Sequence, residues 1–422
     1  MTHGAKLFSQ TSLAMRYRGI LASVLSVVLS AGWLQSAIPL GITSPSGSIP
    51  AEFFGMHFHH LGSSTPWPDV PINQWRLWDA YVAWPNLEPA KGKWRFETLD
   101  KYVAIAAEHH VGLLLPLGLS PTWASARPQE KSTYQPGGAA EPRSIDDWRA
   151  YVGTVVRRYK GRIQAYEIWN EPNLKQFWSG SVDEMITLTR EASGIIRSID
   201  PNALIVSPSA TQDRGVAWLA EFLIKGGGAF VDVIGFHLYV APQPPEASFS
   251  LVSDIRQAMS QSGAGEKPIW NTEAGWFLPK PFPAELAAAY VVREFIVNWA
   301  AGVQRVYWYA WDNHGWVSLE TTETDSRKLT SAGKAYGVAF HWLSGARMLT
   351  CRSDAQQRWI CELERGGHRQ WILWSAAGAS SFHLPPEWHV NQQEPISGAG
   401  GPVQTADIEI GPEPVLVFSS AH

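Results

Sequence analysis

Two glutamates, Glu171 and Glu273, occur in similar settings 102 positions apart. The first is in "YEIWNEPN", residues 166–173, and the second in "IWNTEAGW", residues 269–276. Each follows an apolar run with strand character, comes after Asn or Asn-Thr, and has a strand breaker close behind it, Pro172 or Gly275. Two such carboxylates facing one another suit cleavage of a glycosidic bond. One must be protonated, to donate to the leaving oxygen, and the other ionised, to attack the sugar carbon. Their surroundings must therefore push their pKa values apart. Repulsion between them helps to raise the acid. An arginine such as Arg76 would hold the partner ionised, and Tyr239 can donate to the same carboxylate. His237 would bind a substrate hydroxyl or orient a carboxylate.

Positioning these side chains is the task of the elements around them. From "EFFGMHFHH" to about residue 345, short apolar strands alternate with helical stretches. Strands are read at "QWRLWDA", "VGLLLPLGL", "IQAYEIWNEP", "ALIVSPS", "VDVIGFHLY", "KPIWNTEAGW" and "QRVYWYAW". Helices are read at Thr98–His110, Ser144–Gly161, Val182–Ile199, Val216–Lys225, Phe249–Ser262 and Pro283–Ala301. Eight strands in roughly 265 residues, most followed by a helix, predict a (β/α)8 barrel over residues 52–345. No Gly-rich phosphate motif follows the first strand, which argues against a doubly wound sheet. Beyond residue 345 the helical period disappears and short strands recur between Gly, Pro, Ser and Asn clusters. Residues 346–422 read as an antiparallel β-sandwich. The fold class is thus α/β with an all-β C-terminal domain.

In such a barrel, chemistry belongs to the loops after the strands. Those ends carry Arg76, Trp78 and Asp79 after the second strand, Asn170 and Glu171 after the fourth, His237 and Tyr239 after the sixth, and Glu273 after the seventh. Trp308, Trp311 and Asp312 close the eighth. Trp311 reads as a platform for a sugar face, while Trp84, Trp94 and Trp276 are divided between platform and core. Asn313 and His314 extend a polar loop. Glu167 shares the strand face of Glu171 and reads as a structural carboxylate lower in the barrel. His57, His59 and His60 lack a matching third ligand and read as hydrogen-bonded residues of the mouth rather than a metal centre. Residues 320–325, "ETTETD", read as a solvated loop rather than a calcium site.

"YEIWNEPN", "GFHLY" and "WNTEAGW" resemble glycoside hydrolase family 39, which includes β-xylosidases, α-iduronidases and bacterial exopolysaccharide hydrolases. The resemblance covers roughly residues 52–345. It implies a retaining enzyme needing no cofactor or metal, with Glu171 as acid/base and Glu273 as nucleophile. Asn170 would bind the sugar 2-hydroxyl. It also implies a poly- or oligosaccharide substrate. Arg76, His237, Tyr239, Trp308, Trp311 and Asp312 join Asn170 as expected substrate contacts. Some relatives in the wider clan carry a His after the third strand; here that strand ends "LPLGLSPTW", which suggests Trp123 in its place. An exo-acting β-xylosidase and a non-hydrolytic polysaccharide-binding protein are the alternatives. Moderate loops after the third and sixth strands favour an open groove.

Composition bears on partners and compartment. Apolar residues make up 45% of the 422 and charged residues 17%, enough for a large core. A net charge of −4 leaves no reason to expect nucleic acid. The 22 Trp exceed the 12 Tyr and 16 Phe, a surplus suited to stacking sugar rings. Arg16 and Arg18 precede an apolar stretch from Ile20 to Leu29 with small residues beyond it. Residues 1–40 therefore read as a signal for export or an uncleaved membrane anchor, with Met15 as the expected start, and 41–51 as a linker. Two cysteines, Cys351 and Cys361, lie in neighbouring strand-like runs. A hairpin would bring them face to face, where export permits a disulfide.

Overall fold

The computed structural model describes residues 43–277, 282–315 and 317–420. The export signal read over residues 1–40, with its alternative start Met15, lies outside them. Among the described residues, no helix is long and apolar enough to cross a membrane.

Nine parallel strands make one curled sheet. They are β1 (Phe54–His57), β2 (Gln74–Arg76), β3 (Gly112–Leu117), β4 (Ala165–Ile168), β5 (Leu204–Val206), β6 (Ala210–Thr211), β7 (Ile234–His237), β8 (Ile269–Ala274) and β9 (Val303–Trp308). The order is β5-β4-β3-β2-β1-β9-β8-β7-β6. β5 and β6 are two halves of the fifth barrel strand, parted at Pro208, which has no N–H to give to a ladder. Val206 bridges Val233 and β6 pairs with β7, so the ring closes. Nearly every strand residue is buried, as a parallel sheet covered by helices requires.

The helices are α1 (Trp84–Leu87), α2 (Glu97–Glu108), α3 (Ile145–Tyr159), α4 (Val182–Ile199), α5 (Gln212–Ile224), α6 (Ser248–Gln261), α7 (Ala284–Ala300) and α8 (Ser331–Leu343). Ser144 caps α3 by accepting from the Asp146 amide. Ser181 and Glu184 form a reciprocal capping box on α4, satisfying backbone donors that the helix cannot. The second strand is shorter than its sequence suggests. It stops at Arg76, and Asp79 and Tyr81 take φ values of 55° and 59°, turning the chain out over the barrel mouth.

After α8 come β10 (Arg347–Ser353), β11 (Arg358–Arg365), β12 (His368–Ser375), β13 (Ser380–His383), β14 (Gln392–Pro395), β15 (Gly401–Pro402), β16 (Asp407–Ile410) and β17 (Val415–Phe418). Six of these form an antiparallel sheet, β10-β11-β12-β17-β14-β15, and β13 pairs with β16. Trp371, Leu373 and Val417 meet Phe382, Ile408 and Ile410 between the two layers. Cys351 lies opposite Cys361 across β10 and β11, and a disulfide joins them.

This small sandwich does not stand apart. Its inward face shares one continuous core with the barrel, and Trp359 stacks between Phe249 of α6 and Trp374. Glu246, just before α6, binds Arg293 of α7 through both carboxylate oxygens and accepts from the Trp374 indole at 2.7 Å. α7 is consequently apolar and buried almost all round, as a helix covered on every side must be.

Candidate active site

Glu171 leaves β4 through two residues in left-handed conformation, Trp169 at φ 67° and Glu171 itself at φ 46°. Such backbone costs on the order of 1–3 kcal/mol per residue. Here it is held from both sides: the Trp169 indole donates to the Phe177 carbonyl at 2.7 Å, and the Glu171 amide donates to the Ser209 carbonyl at 2.9 Å. Pro172 prevents the strand from continuing. Glu273 instead lies within β8, whose register with β9 slips between Asn271 and Ala274. The next residue, Gly275, passes so close to the final loop that a Cβ there would stand 2.6 Å from the Tyr309 carbonyl oxygen.

An oxygen of each carboxylate and a ring nitrogen of His237 all lie within 4.8 Å of one another. Three such groups can hold a metal ion. The Arg76 guanidinium, however, stands 2.8 Å from Glu273 Oε2 and already supplies the positive charge there.

Arg76 organises the barrel floor. Fully buried, it donates to both oxygens of Glu167, to Glu273 and to the Asn170 side-chain Oδ1 at 2.7 Å. It also contacts His57 Nε2 at 3.1 Å, while His57 Nδ1 lies 3.1 Å from the Trp308 carbonyl oxygen. A neutral His57, carrying its proton on Nδ1, satisfies both contacts. Burial, followed by the neighbouring Arg76, pushes its pKa well below the ordinary histidine value. Burial opposes the charge on Arg76, but Glu167 and Glu273 outweigh it and the pKa rises.

The two glutamates experience different fields. Burial pushes Glu171 up to about 7, only partly opposed by Arg76. His237 Nδ1 sits 3.1 Å from Glu171 Oε1, and burial lowers His237 to about 4, so at neutral pH it is an uncharged hydrogen-bonding partner. Burial raises Glu273 as well. A neutral His237 lends no charge against that rise, so the opposition comes from Arg76 and from the Tyr239 hydroxyl, which donates to Oε1 at 2.7 Å. Among the described residues Glu171 has no such cation in contact, which leaves it the better proton store.

Above the pair opens a cleft of about 710 Å3. Asn170, Glu171, Tyr239 and Glu273 line it. With its oxygen held by Arg76, Asn170 has its amide NH2 left to offer. Arg76 and His237, expected as substrate contacts, are fully buried and support the carboxylates from beneath. Trp308 and Trp311 are corrected more sharply. Both are buried and neither lines the cleft: Trp308 stacks on Trp276, and Trp311 packs on Phe58. Alternation along the last strand and its extension turns Trp308 outward and Tyr309 inward, so Tyr309 faces the cleft in their place. Asp312 accepts from the His59 and His60 amides and the Thr65 hydroxyl, and so fastens two loops together. Trp123 is likewise turned away, donating to the Glu88 carbonyl and packing edge-on against Trp84, itself buried.

Other cleft residues were not singled out from sequence as ligands. Asp79 accepts from the hydroxyls of Tyr309 at 2.6 Å and Tyr134 at 2.5 Å. His59 lines the cleft with a buried Nε2 that has no partner. Asp79 stood among the strand-end residues, but no local pattern linked it to Tyr134 or Tyr309, 55 and 230 positions away.

The model for "Glycosyl hydrolases family 39" matches residues 75–310, more than half of the chain. A β-xylosidase of Caldicellulosiruptor saccharolyticus is 30% identical over 31% of this chain and 27% of that protein. A β-xylosidase of Geobacillus stearothermophilus is 25% identical over 46% and 43%. The chain thus spans less than half the length of these curated relatives. Among solved structures, a family 39 glycoside hydrolase from Bacteroides cellulosilyticus superposes with a TM-score of 0.72 at 16% identity, covering 88% of this chain and 81% of that one. A family 39 β-xylosidase from Caulobacter crescentus gives 0.65 at 16% identity, covering 89% and 97%. At those identities the likeness is one of fold, a (β/α)8 barrel with a β-sandwich.

Proposed function

The chain belongs to glycosyl hydrolase family 39, and from that premise we propose that it hydrolyses β-glycosidic bonds in an oligo- or polysaccharide with retention of configuration. The observation that carries the reading is the pair of carboxylates with oxygens within 4.8 Å and unlike surroundings. Retaining enzymes hold their carboxyl groups roughly 5–5.5 Å apart, while inverting enzymes leave about 6.5–9.5 Å for a water. In the first step Glu273 attacks the anomeric carbon as the bond to the leaving oxygen breaks, and Glu171 gives that oxygen its proton. In the second, Glu171 takes a proton from water, whose oxygen displaces Glu273 from the sugar. Tyr239 and Arg76 stabilise the Glu273 carboxylate when it departs. The Asn170 NH2 is placed to bind a ring hydroxyl.

The β-xylosidase relatives favour xylose as the sugar. Glu171→Gln and Glu273→Gln test the assignment on aryl β-xylosides and a glycan panel. Losing the general acid/base should cost about 10²–10⁴ in rate on unactivated substrates. Rates near wild type in either variant, or product of inverted anomeric configuration by NMR, would refute it. Binding of glycans without any turnover by the wild-type chain would favour the non-hydrolytic alternative. We also propose export, supported by the basic and apolar pattern of residues 16–29. N-terminal sequencing of exported protein tests it, and a mature chain retaining residues 1–14 would rule out Met15 as the start.

A further inference from the structure

Among the described residues, four large apolar side chains stand exposed: Tyr81 at 63%, Tyr134 at 47%, Ile224 at 67% and Phe277 at 44%. Three of the four, all aromatic, line the one cleft that holds the carboxylates. Large rings are left in water at a cost, and their gathering at the cleft that holds both carboxylates marks a ligand surface.

Two of these residues are placed by the fold, Tyr81 through its backbone and Tyr134 through its ring. Tyr81 follows β2 in left-handed conformation, which a bulky side chain adopts only when its surroundings enforce it. The His60 ring, after β1, lies beside it at 6.2 Å with a 35° tilt. Tyr134, in the loop after β3, is tethered at its hydroxyl to Asp79. Trp78 meets its ring edge-on at 5.6 Å, and Phe177 braces it at 6.0 Å. The Tyr134 ring, already tethered and braced, loses little freedom on binding, so stacking on it is retained as affinity. Both rings belong to the side of the mouth formed by the loops after β1, β2 and β3. Glu171 and Glu273 come from β4 and β8.

We propose that Tyr81 and Tyr134 form an additional sugar-binding subsite, which stacks the apolar faces of a β-linked glycan chain beside the unit whose bond is cleaved. The proposal deepens the glycosidase reading and rests on it. It makes the chain a reader of glycan length, engaging several units at once.

Tyr81→Ala and Tyr134→Ala test it against xylo- and cello-oligosaccharides of two to six units. The ratio of kcat/KM on the hexamer to that on the dimer should fall about five- to tenfold in each variant. Tyr134→Phe, which keeps the ring and loses the tether, should fall between Tyr134→Ala and wild type. An unchanged ratio in both alanine variants would overturn the proposal. Calorimetric affinity for the hexamers separates this from failure of the glycosidase reading. If no substrate is cleaved, weaker hexamer binding by the alanine variants still supports the subsite. Affinity that is independent of length, or no binding of either series, rejects it.

Discussion

The chemistry proposed for this site depends on one carboxyl group keeping its proton near neutrality. Burial pushes Glu171 up to about 7, whereas Arg76 and Tyr239 bind Glu273 directly. Activity requiring protonated Glu171 should therefore fall as pH rises through about 7, a limb that kcat/KM profiles will read. Stability is linked to the same group. Because the folded pKa lies above its ordinary value, the stabilising contribution is complete below about 4.5 and is lost as pH rises through about 7. Glu171→Gln has no such loss, so its melting temperature relative to wild type should rise between pH 5 and pH 8. Arg76 is the more vulnerable residue. Arg76→Met would strand Glu167 and Glu273 without their cation, at a cost of about 3–5 kcal/mol in unfolding free energy, with much of the activity lost.

Strands and helices contribute by fixing where these side chains end. α4 begins at a capping box, Ser181 and Glu184, that lines no part of the cleft, so Ser181→Ala should lower stability by about 1 kcal/mol in denaturant titrations and leave kcat intact. The loop after β8 is less tolerant. Gly275→Ala would force a methyl group against the Tyr309 carbonyl, so both melting temperature and activity should drop. The eighth barrel strand shows how period-2 geometry decides function. Its tryptophans look like sugar platforms by type, yet alternation buries Trp308 against Trp276 and presents Tyr309 to the cleft.

At the scale of the whole molecule, the β-sandwich behaves as part of the barrel's covering. The described residues fall within one compact unit. The Glu246–Arg293 pair and the Trp374 indole tie the sandwich to the segment between β7 and α6, downstream of Tyr239. A chain ending at residue 345 would expose Phe249 and leave Glu246 and Arg293 without Trp374 and the Pro412 carbonyl, open to water. It should therefore be insoluble or melt far below the full chain, as solubility and circular dichroism will report.

Amino-acid order alone carried the alternation of strands and helices, the change to β texture near residue 345, and the two strand-end glutamates, because these are local and periodic properties. Glu167, read as a carboxylate lower in the barrel, is there as the partner of Arg76. What folding in three dimensions decided was which face each side chain met. Arg76 and His237, read from sequence both as carboxylate supports and as sugar contacts, are buried in the first role, and Asp312 is a clasp between loops. Asp79, Tyr134 and Tyr309 converged from three loops onto one hydrogen-bonded cluster. Closing the barrel brings such residues together from distant parts of the chain, and no pattern along a single strand registers that encounter.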